Sequence, residues 1–397
     1  NVGIIGLGYV GLPTALAFFE SGFDVVGIDI SPAVIEKIEQ GGSPLIDNTD
    51  NLKIPVNSKN WNVSTNFGEI SDCDVILITV PTPVSENKEP DLNFVKSAAR
   101  STMEELDKGR NVILVLESTV YPGVTREILG EIRDDIGLSE GSDVTLAYCP
   151  ERVNPGTEMG VKNVARVIGC DNIDVGIKLA KMYSHTTNGE CKYVGKMEVA
   201  EASKLVENLQ RDIDIALVNE LAIILPRIGV DVEQVLAAAE TKWNFHRHSP
   251  GIGVGGHCIA VDPWFIVSSF PEESLLIRTA REVNNKKTLW VKDKILSIVK
   301  EFELINKNKP IIGFLGLAFK PNIDDLRESP ALKIFNYLNE FNLEILPCEP
   351  NLETHSSIKL YSIKYIKSKA DIILKLVDHK EFQNVQFINN KFYDFCR

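Results

Sequence analysis

Apolar residues in the first half of the chain gather in short runs, separated by stretches of helical spacing. Val2–Ile5 is one such run; glycines follow it, and a helical pattern extends from about Leu12 to Ser21. Asp24–Ile30, Cys73–Val80, Val112–Glu117, Val144–Tyr148 and Arg166–Ile168 are the further strand candidates. Apolar strands interleaved with helices predict a mostly parallel sheet with helices on both faces. Pro81, Pro83 and Pro90 mark a long turn beyond the Cys73–Val80 run, where an open α/β sheet exposes its ligand-binding edge.

The pattern changes at Lys196. Few breakers interrupt the helical spacing through Leu225, which predicts one long helix, kinked or ended near Pro226, inside a region running to about Glu240. Helical segments resume after Thr241–Ile259 and continue to roughly Glu303. Such a helix suits either a cleft shared by two α/β domains or a dimer seam, and the sequence ranks the two poorly. Beyond it, Pro310–Leu317, Leu343–Pro347 and Asp371–Val377 read as strands and Ser329–Phe341 as a helix. The expected fold class is α/β, with two Rossmann-like parallel-sheet domains (1–195 and 304–397) joined by a long central helix and a helical middle domain (196–303). The two ends invite an internal duplication, although no residue-level repeat is convincing.

Length agrees with two or three domains, since 397 residues exceed what one core usually holds. The formal charge of −13 gives no electrostatic reason to expect a nucleic-acid partner, and no run is long enough to span a bilayer. Seven cysteines, odd in number and without a C-x-x-C pair, argue against a disulfide framework or zinc knuckle and favour a cytoplasmic setting. The chain opens at Asn1 without a methionine, so a leading residue is expected to be absent. Gly41–Asp50 is polar and turn-rich, and is expected to hide missing residues near Pro44.

Gly6-Leu-Gly8-Tyr9-Val10-Gly11 fits G-x-G-x-x-G between an apolar strand and a helix. Gly6 permits the tight turn, Gly8 lets a pyrophosphate approach the backbone, and Gly11 allows close helix–strand packing. Asp29 ends the second run, placed to accept hydrogen bonds from ribose hydroxyls and to repel a 2′-phosphate, which favours NAD over NADP. Thr82 and Thr119 follow strands at the same edge, with cofactor contact and helix or turn capping as competing uses.

Candidate chemistry lies further on. Cys258 sits in Gly255-Gly256-His257-Cys258, a flank with little crowding, whereas burial is the default for the other six cysteines. Pro263 fixes the backbone after Asp262. Lys204 and Asn208, four apart on one helix face, suit stabilisation of oxygen charge, against a solvated lysine with carboxylate neighbours. Glu151, in Cys149-Pro-Glu151-Arg152-Val-Asn154, suits water activation, with a surface turn as the plain alternative. Lys242, His246, Arg247 and His248 form a basic patch suited to a diphosphate; the two-apart histidines lack metal-ligand spacing, and no metal is expected. Lys320 and Arg327 flank Pro321–Leu326, with Arg327 suited to phosphate recognition or to pairing with Asp324, Asp325 or Glu328.

G-L-G-Y-V-G-L-P-T at 6–14, Y-C-P-E-R-V-N-P-G at 148–156, E-A-S-K-L-V-E-N at 201–208, P-G-I-G-V-G-G-H-C-I-A-V-D-P-W-F at 250–265 and G-L-A-F-K-P-N-I-D-D-L-R-E-S-P-A at 316–331 resemble the nucleotide-sugar 6-dehydrogenase family. The resemblance spans the chain, most specifically at 255–265 and at L-I-R-T-A-R-E-V-N-N, 276–285. It implies an NAD-binding N-terminal domain, central helices carrying a homodimer contact, and a C-terminal UDP-binding domain. It implies Cys258 as nucleophile, Lys204 and Asn208 as oxyanion-side groups, Asp262 as partner of lysine and water, and Glu151 in thioester hydrolysis. Thr119 is then a water or cofactor contact and Arg327 a contact of the cofactor phosphates. Lys320 lines the substrate side, with Arg152, Arg247, His248 and Gly255 as further substrate contacts.

The implied reaction oxidises a UDP-N-acetylhexosamine, UDP-N-acetyl-D-mannosamine foremost, to its uronate and consumes two NAD+. UDP-N-acetylglucosamine and UDP-glucose are the alternative substrates. A one-hydride hydroxyacid dehydrogenase and a non-enzymatic NAD-sensing interaction protein are the other classes. Two stretches depart from the family: the loop near Pro44 lacks its acidic-proline-glycine segment, and Lys242–Ser249 is atypical.

Overall fold

A computed structural model describes residues 1–45, 52–85, 87–152, 161–256, 258–388 and 390–396. Asn154, His257 and the end of the Gly41–Asp50 loop lie outside the described residues. The chain forms two compact units, Asn1–Glu207 with Trp264–Ser269, and Asn208–Pro263 with Phe270–Arg397. The division falls inside one continuous helix.

In the first unit, eight strands lie in the order β3-β2-β1-β4-β5-β6-β7-β8. They are β1 (Val2–Ile5), β2 (Val25–Ile28), β3 (Trp61–Ser64), β4 (Val75–Ile78), β5 (Val112–Leu116), β6 (Val144–Tyr148), β7 (Arg166–Cys170) and β8 (Cys191–Gly195). All neighbours are parallel except β6 and β7. Alternate residues of each strand enter different cores. Ile76, Ile78, Leu114 and Leu116 join α3 (Asn93–Glu104) and α4 (Gly130–Ile136) on one face. Val75, Leu77 and Val115 join α1 (Gly11–Glu20), α2 (Pro32–Glu39) and α5 (Ile173–Tyr183) on the other. Burial on both faces is why these strands read as unbroken apolar runs.

The helix α6 (Met197–Ile224) runs through the unit boundary, and a single 3-10 turn at Leu225–Ile228 ends it. Pro226 removes an amide there, and Gly229 adopts φ +73°, so the chain turns before α7 (Val232–Glu240). After α8 (Pro263–Ser269), α9 (Leu275–Asn306) continues for 32 residues. Among the described residues, no helix is long and apolar enough to cross a membrane.

The second unit carries a four-stranded parallel sheet, β10-β9-β11-β12, built from β9 (Ile311–Leu315), β10 (Glu344–Cys348), β11 (Ile372–Lys375) and β12 (Lys391–Asp394). Val291, Ile295 and Val299 of α9, with Ile334 and Leu338 of α10 (Pro330–Asn339), cover one face. Ile366 of α11 (Ile363–Lys369) and Phe382 of α12 (Lys380–Gln383) cover the other.

A residue-level repeat between the two sheets emerges from the hydrogen bonds. In the first, Gly6 (φ +92°) donates its N–H to Ile28 O, Leu7 N–H donates to Asp29 Oδ2, and Ser31 N–H to Asp29 Oδ1. In the second, Gly316 (φ +93°) donates to Cys348 O, Leu317 N–H to Glu349 Oε2, and Asn351 N–H to Glu349 Oε1. Glu349 therefore stands where Asp29 stands. It differs in being buried against His379, whose Nδ1 accepts from Asn322 N–H and whose Nε2–H donates to Glu349 Oε2 at 3.1 Å. That imidazole pins the Leu317–Asn322 loop, which carries Lys320.

Candidate active site

The dinucleotide motif is fixed by packing at one glycine and left open at another. A Cβ on Gly11 would lie 1.8 Å from Gly6 O and 2.5 Å from Thr79 Oγ1, so helix α1 meets the β1 turn without room for a side chain. Thr79 Oγ1 is itself bonded to Gly6 O at 2.8 Å. A Cβ on Gly8 would meet no protein atom within 4 Å. The fold does not demand glycine there, whereas a diphosphate approaching the backbone does.

Val10 caps α1, Tyr9 beside it is exposed, and no acid in the first turn opposes an anion at the helix N-terminus. Asp29 is held by two backbone N–H groups, and each oxygen keeps a second lone pair for a ribose hydroxyl. Thr82 is buried and Thr119 half-buried at the adjoining strand ends, where Ser118 Oγ ties the two turns together by donating to Val80 O at 2.6 Å. These residues fit NAD.

In the second unit the cysteine loop is shaped by three glycines. Gly253 has φ +133° and Gly256 φ +82°. A Cβ on Gly255 would lie 2.7 Å from Glu328 O, and one on Gly256 2.7 Å from the Phe319 ring. Gly256 N–H also donates to Arg327 O at 3.0 Å. The loop is thus laid against the segment carrying Lys320 and Arg327. Of the seven cysteines only Cys258 is exposed: Cys73, Cys149, Cys170 and Cys348 are buried, and Cys191 and Cys396 half-buried. Burial pushes the Cys73 thiol up to about 11 and that of Cys348 to about 12. Cys258 O accepts from Val261 and Asp262 N–H, turning the chain into α8, and buried Asp262 accepts from Asn208 Nδ2.

Residues absent from the sequence-based candidates hold this loop. Arg281, 1% exposed, reaches Asp212 Oδ1 at 3.0 Å and Ile259 O at 3.1 Å. Asn284 donates to Asp212 Oδ1 and accepts from Asn219, whose Oδ1 accepts Gly251 N–H at 2.8 Å. Thr288 Oγ1 donates to Ile252 O. The signal was the R-E-V-N-N run, whose purpose is invisible without its partners on α6.

The remaining candidates take varied places. Lys204 is 8% exposed, so the solvated alternative does not hold, and Asn208 lies one turn further along α6. Glu151 is equally sheltered, not a free surface turn: its Oε2 is 2.7 Å from Arg166 Nη1 in the first unit. Arg152 reaches Glu207 and Ala165 O. Arg247 is bound by Glu233 and Glu240, which raise its pKa, and His248 Nε2 is 3.6 Å from Asp214. The basic patch thereby carries its own counter-charges. Arg327 is forked onto Asp325 by both Nε and Nη2. Among the described residues, no cluster of metal-ligating side chains is present.

A dinucleotide fold, a second sheet built on the same plan and an exposed loop thiol define the class, a nucleotide-dependent oxidoreductase. The chain belongs to the UDP-glucose/GDP-mannose dehydrogenase family: its NAD binding domain matches residues 1–187, its central domain 198–286 and its UDP binding domain 313–393. It is 39% identical over 403 residues to a UDP-N-acetyl-D-mannosamine dehydrogenase of Escherichia coli, spanning 96% of this chain and 94% of that one. A Ralstonia nicotianae NDP-N-acetyl-D-galactosaminuronic acid dehydrogenase is 38% identical, with 97% and 92% covered. Among solved structures, a UDP-D-ManNAc dehydrogenase of Pyrococcus horikoshii superposes with a TM-score of 0.89 at 32% identity, covering 100% of this chain and 95% of that one.

Proposed function

We propose that the chain oxidises UDP-N-acetyl-D-mannosamine at C6 to UDP-N-acetyl-D-mannosaminuronate in the cytoplasm. The observation that carries this reading is the exposed Cys258 on a glycine loop seated against the Lys320–Arg327 segment, in a chain matched end to end by relatives of that activity. When bound, NAD supplies the two-electron acceptor, one molecule for each of two oxidations. Cys258 adds to the C6 aldehyde as a thiohemiacetal, which the second oxidation converts to a thioester. Lys204 and Asn208 stabilise negative charge on the C6 oxygen, and Asp262, held by Asn208, orients the proton traffic. Glu151 takes a proton from water, whose oxygen attacks the thioester carbon; the C–S bond breaks and the thiol is restored. Asp29 and the Gly6–Gly11 turn hold the cofactor, with Thr82, Thr119 and Arg327 beside it. Lys320, Arg152, Arg247, His248 and Gly255 are the groups proposed for the substrate side.

A second reading of the sugar is favoured by the Ralstonia relative, which is as similar as the E. coli one. Turnover of UDP-N-acetyl-D-mannosamine, UDP-N-acetyl-D-galactosamine, UDP-N-acetylglucosamine and UDP-glucose separates the two. The expected result is two NADH per mannosamine derivative and the highest kcat/KM for it. One NADH per sugar defeats the four-electron scheme, and preference for another sugar overturns the substrate assignment alone.

The homodimer proposed for this chain is supported by α6, where Val199, Val206, Leu217 and Ile224, all about half exposed, recur at spacings that share one helix face. Light scattering should give twice the 44.1 kDa chain mass, and Leu217→Glu should shift it toward the monomer. A monomeric parent rejects this use of the helix.

A further inference from the structure

Behind Glu151 lies a buried group of charges that no step of the scheme uses. Arg166 opens β7, with its side chain 1% exposed. Its Nη1 stands 2.7 Å from Glu151 Oε2 and 3.8 Å from Glu117 Oε2. Glu117, at the end of β5, is fully buried and accepts a 2.6 Å hydrogen bond from Tyr183 OH. The guanidinium also lies over the Tyr183 ring, 5.6 Å from its centroid. Glu151 reaches furthest toward solvent: its side chain is 10% exposed, that of Glu117 not at all. One Glu151 oxygen accepts Arg152 N–H at 2.7 Å while the other faces the guanidinium, so the carboxylate is gripped on both sides.

A buried ion cluster of this kind is seldom worth its desolvation in stability, and apolar side chains of equal volume would hold the core as well. What such charges add is orientation and a fixed protonation state. Resting on the reading of Glu151 as the water-activating group, we propose that Arg166 is its positioning residue, and that the Glu117–Tyr183 pair behind it fixes the aim of the guanidinium. With one cation between two carboxylates, the pocket favours a single proton near neutrality. Burial foremost pushes the Glu117 carboxyl up to about 7, with Arg166 and Tyr183 opposing and the Glu151 charge adding. Glu151, gripped between the guanidinium and the Arg152 N–H, is held in one orientation for taking a proton from water.

The titratable groups facing this pocket are Glu117 after β5, Cys149 after β6, Arg166 of β7, Tyr183 of α5, Cys191 of β8 and Glu151 itself. Burial holds the thiols of Cys149 and Cys191 and the Tyr183 phenol above their ordinary values, so all three are neutral at physiological pH. Glu117 is accordingly the member of the pocket that changes charge near pH 7. Its deprotonation above that point places a second negative charge on Arg166 and loosens the hold on Glu151.

The test is made on the full chain with UDP-N-acetyl-D-mannosamine and NAD. Arg166→Met should lower kcat by about 100-fold and the KM values with it, leaving kcat/KM near parental, because the slowed step follows both hydride transfers. Because only hydrolysis is slowed, two NADH per site should form in the first turnover, and intact-mass spectrometry should find the acyl adduct on Cys258. Arg166→Lys should recover part of kcat. Glu117→Gln and Tyr183→Phe, each a small buried change, should fold; the first should remove the inflection of kcat near pH 7, and the second, which takes away a hydrogen bond that lowers the Glu117 pKa, should move it to higher pH. A purely structural Arg166 would instead lose thermal stability, NAD binding and the first-turnover NADH together, and would leave the pH profile of Glu117→Gln unchanged. That outcome overturns the proposal. If Arg166→Met does not fold, the pH profiles of the other two variants decide it. A parent that oxidises no UDP-sugar defeats the proposed function instead, so the two failures are distinct.

Discussion

Cys258→Ala should abolish net uronate formation while leaving a folded protein that still binds NAD. The residue is exposed, and alanine keeps the backbone carbonyl that turns the chain into α8, so the variant should still fold. The rate of acid formation should fall on the order of 10⁴-fold or more, as expected when the nucleophile of a covalent mechanism is removed. Mass spectrometry of the parent, quenched during turnover, should show the sugar acyl group on the peptide carrying Cys258. Near-parental uronate production by Cys258→Ala would end the covalent scheme and leave a direct double oxidation through an aldehyde hydrate. Cys73→Ala is the matched control. Cys73 is buried with its pKa raised chiefly by that burial, so it has no route to a substrate carbon.

Legibility in the sequence followed how local each constraint is. The first dinucleotide site could be read because its rules sit within six residues: a left-handed Gly6, an open Gly8 and a Gly11 with no space for a Cβ. The equivalent turn at Gly316 kept only the first glycine and exchanged Asp29 for Glu349, so its kinship is carried by backbone hydrogen bonds that no letter records. Edge strands were missed for another reason. Trp61–Ser64, Cys191–Gly195 and Lys391–Asp394 lie at or beside the rims of their sheets, half exposed, and lack an unbroken apolar run. Lys204 was harder still, since helical spacing places it on a face without saying that the face is buried.

Arg166 and Arg281 are the extreme case. Arginine is expected at the surface, and its burial follows only from carboxylates brought near by the fold. Asp212 and Arg281 are 69 positions apart, and Glu117 and Arg166 are 49, on elements whose pairing no periodicity fixes. Both clusters back a residue that the sequence did mark, Cys258 in one unit and Glu151 in the other. The marked residues meet the chemistry directly and carry motif-like neighbours, whereas their supports are spread along the chain.

Arg281→Met should be the most damaging single change to the second unit. It strips the cation from Asp212, which is 1% exposed and has burial raising its pKa, with Arg281 and then Asn284 pulling it back. An uncompensated buried carboxylate costs about 3–5 kcal/mol when its partner is removed. The sign of the pH dependence follows from that direction. With Arg281 gone, the folded-state pKa of Asp212 moves further above its unfolded value, so the folded state binds the proton more readily and the penalty grows as pH rises through that folded pKa. Thermal melts should therefore show the deficit of Arg281→Met against the parent shrinking from neutral to mildly acidic buffer. Adding Asp212→Asn should restore part of the loss at neutral pH, a positive coupling that two independent sites would not show. Function should fall further than stability explains, because Ile259 O loses its donor one residue beyond Cys258. Alkylation of Cys258 by iodoacetamide, followed below the melting temperature, reads this directly: its rate should change in Arg281→Met and return toward the parental value in Arg281→Lys. An unchanged rate with a large stability loss would confine Arg281 to holding the unit together and free it from any part in shaping the loop.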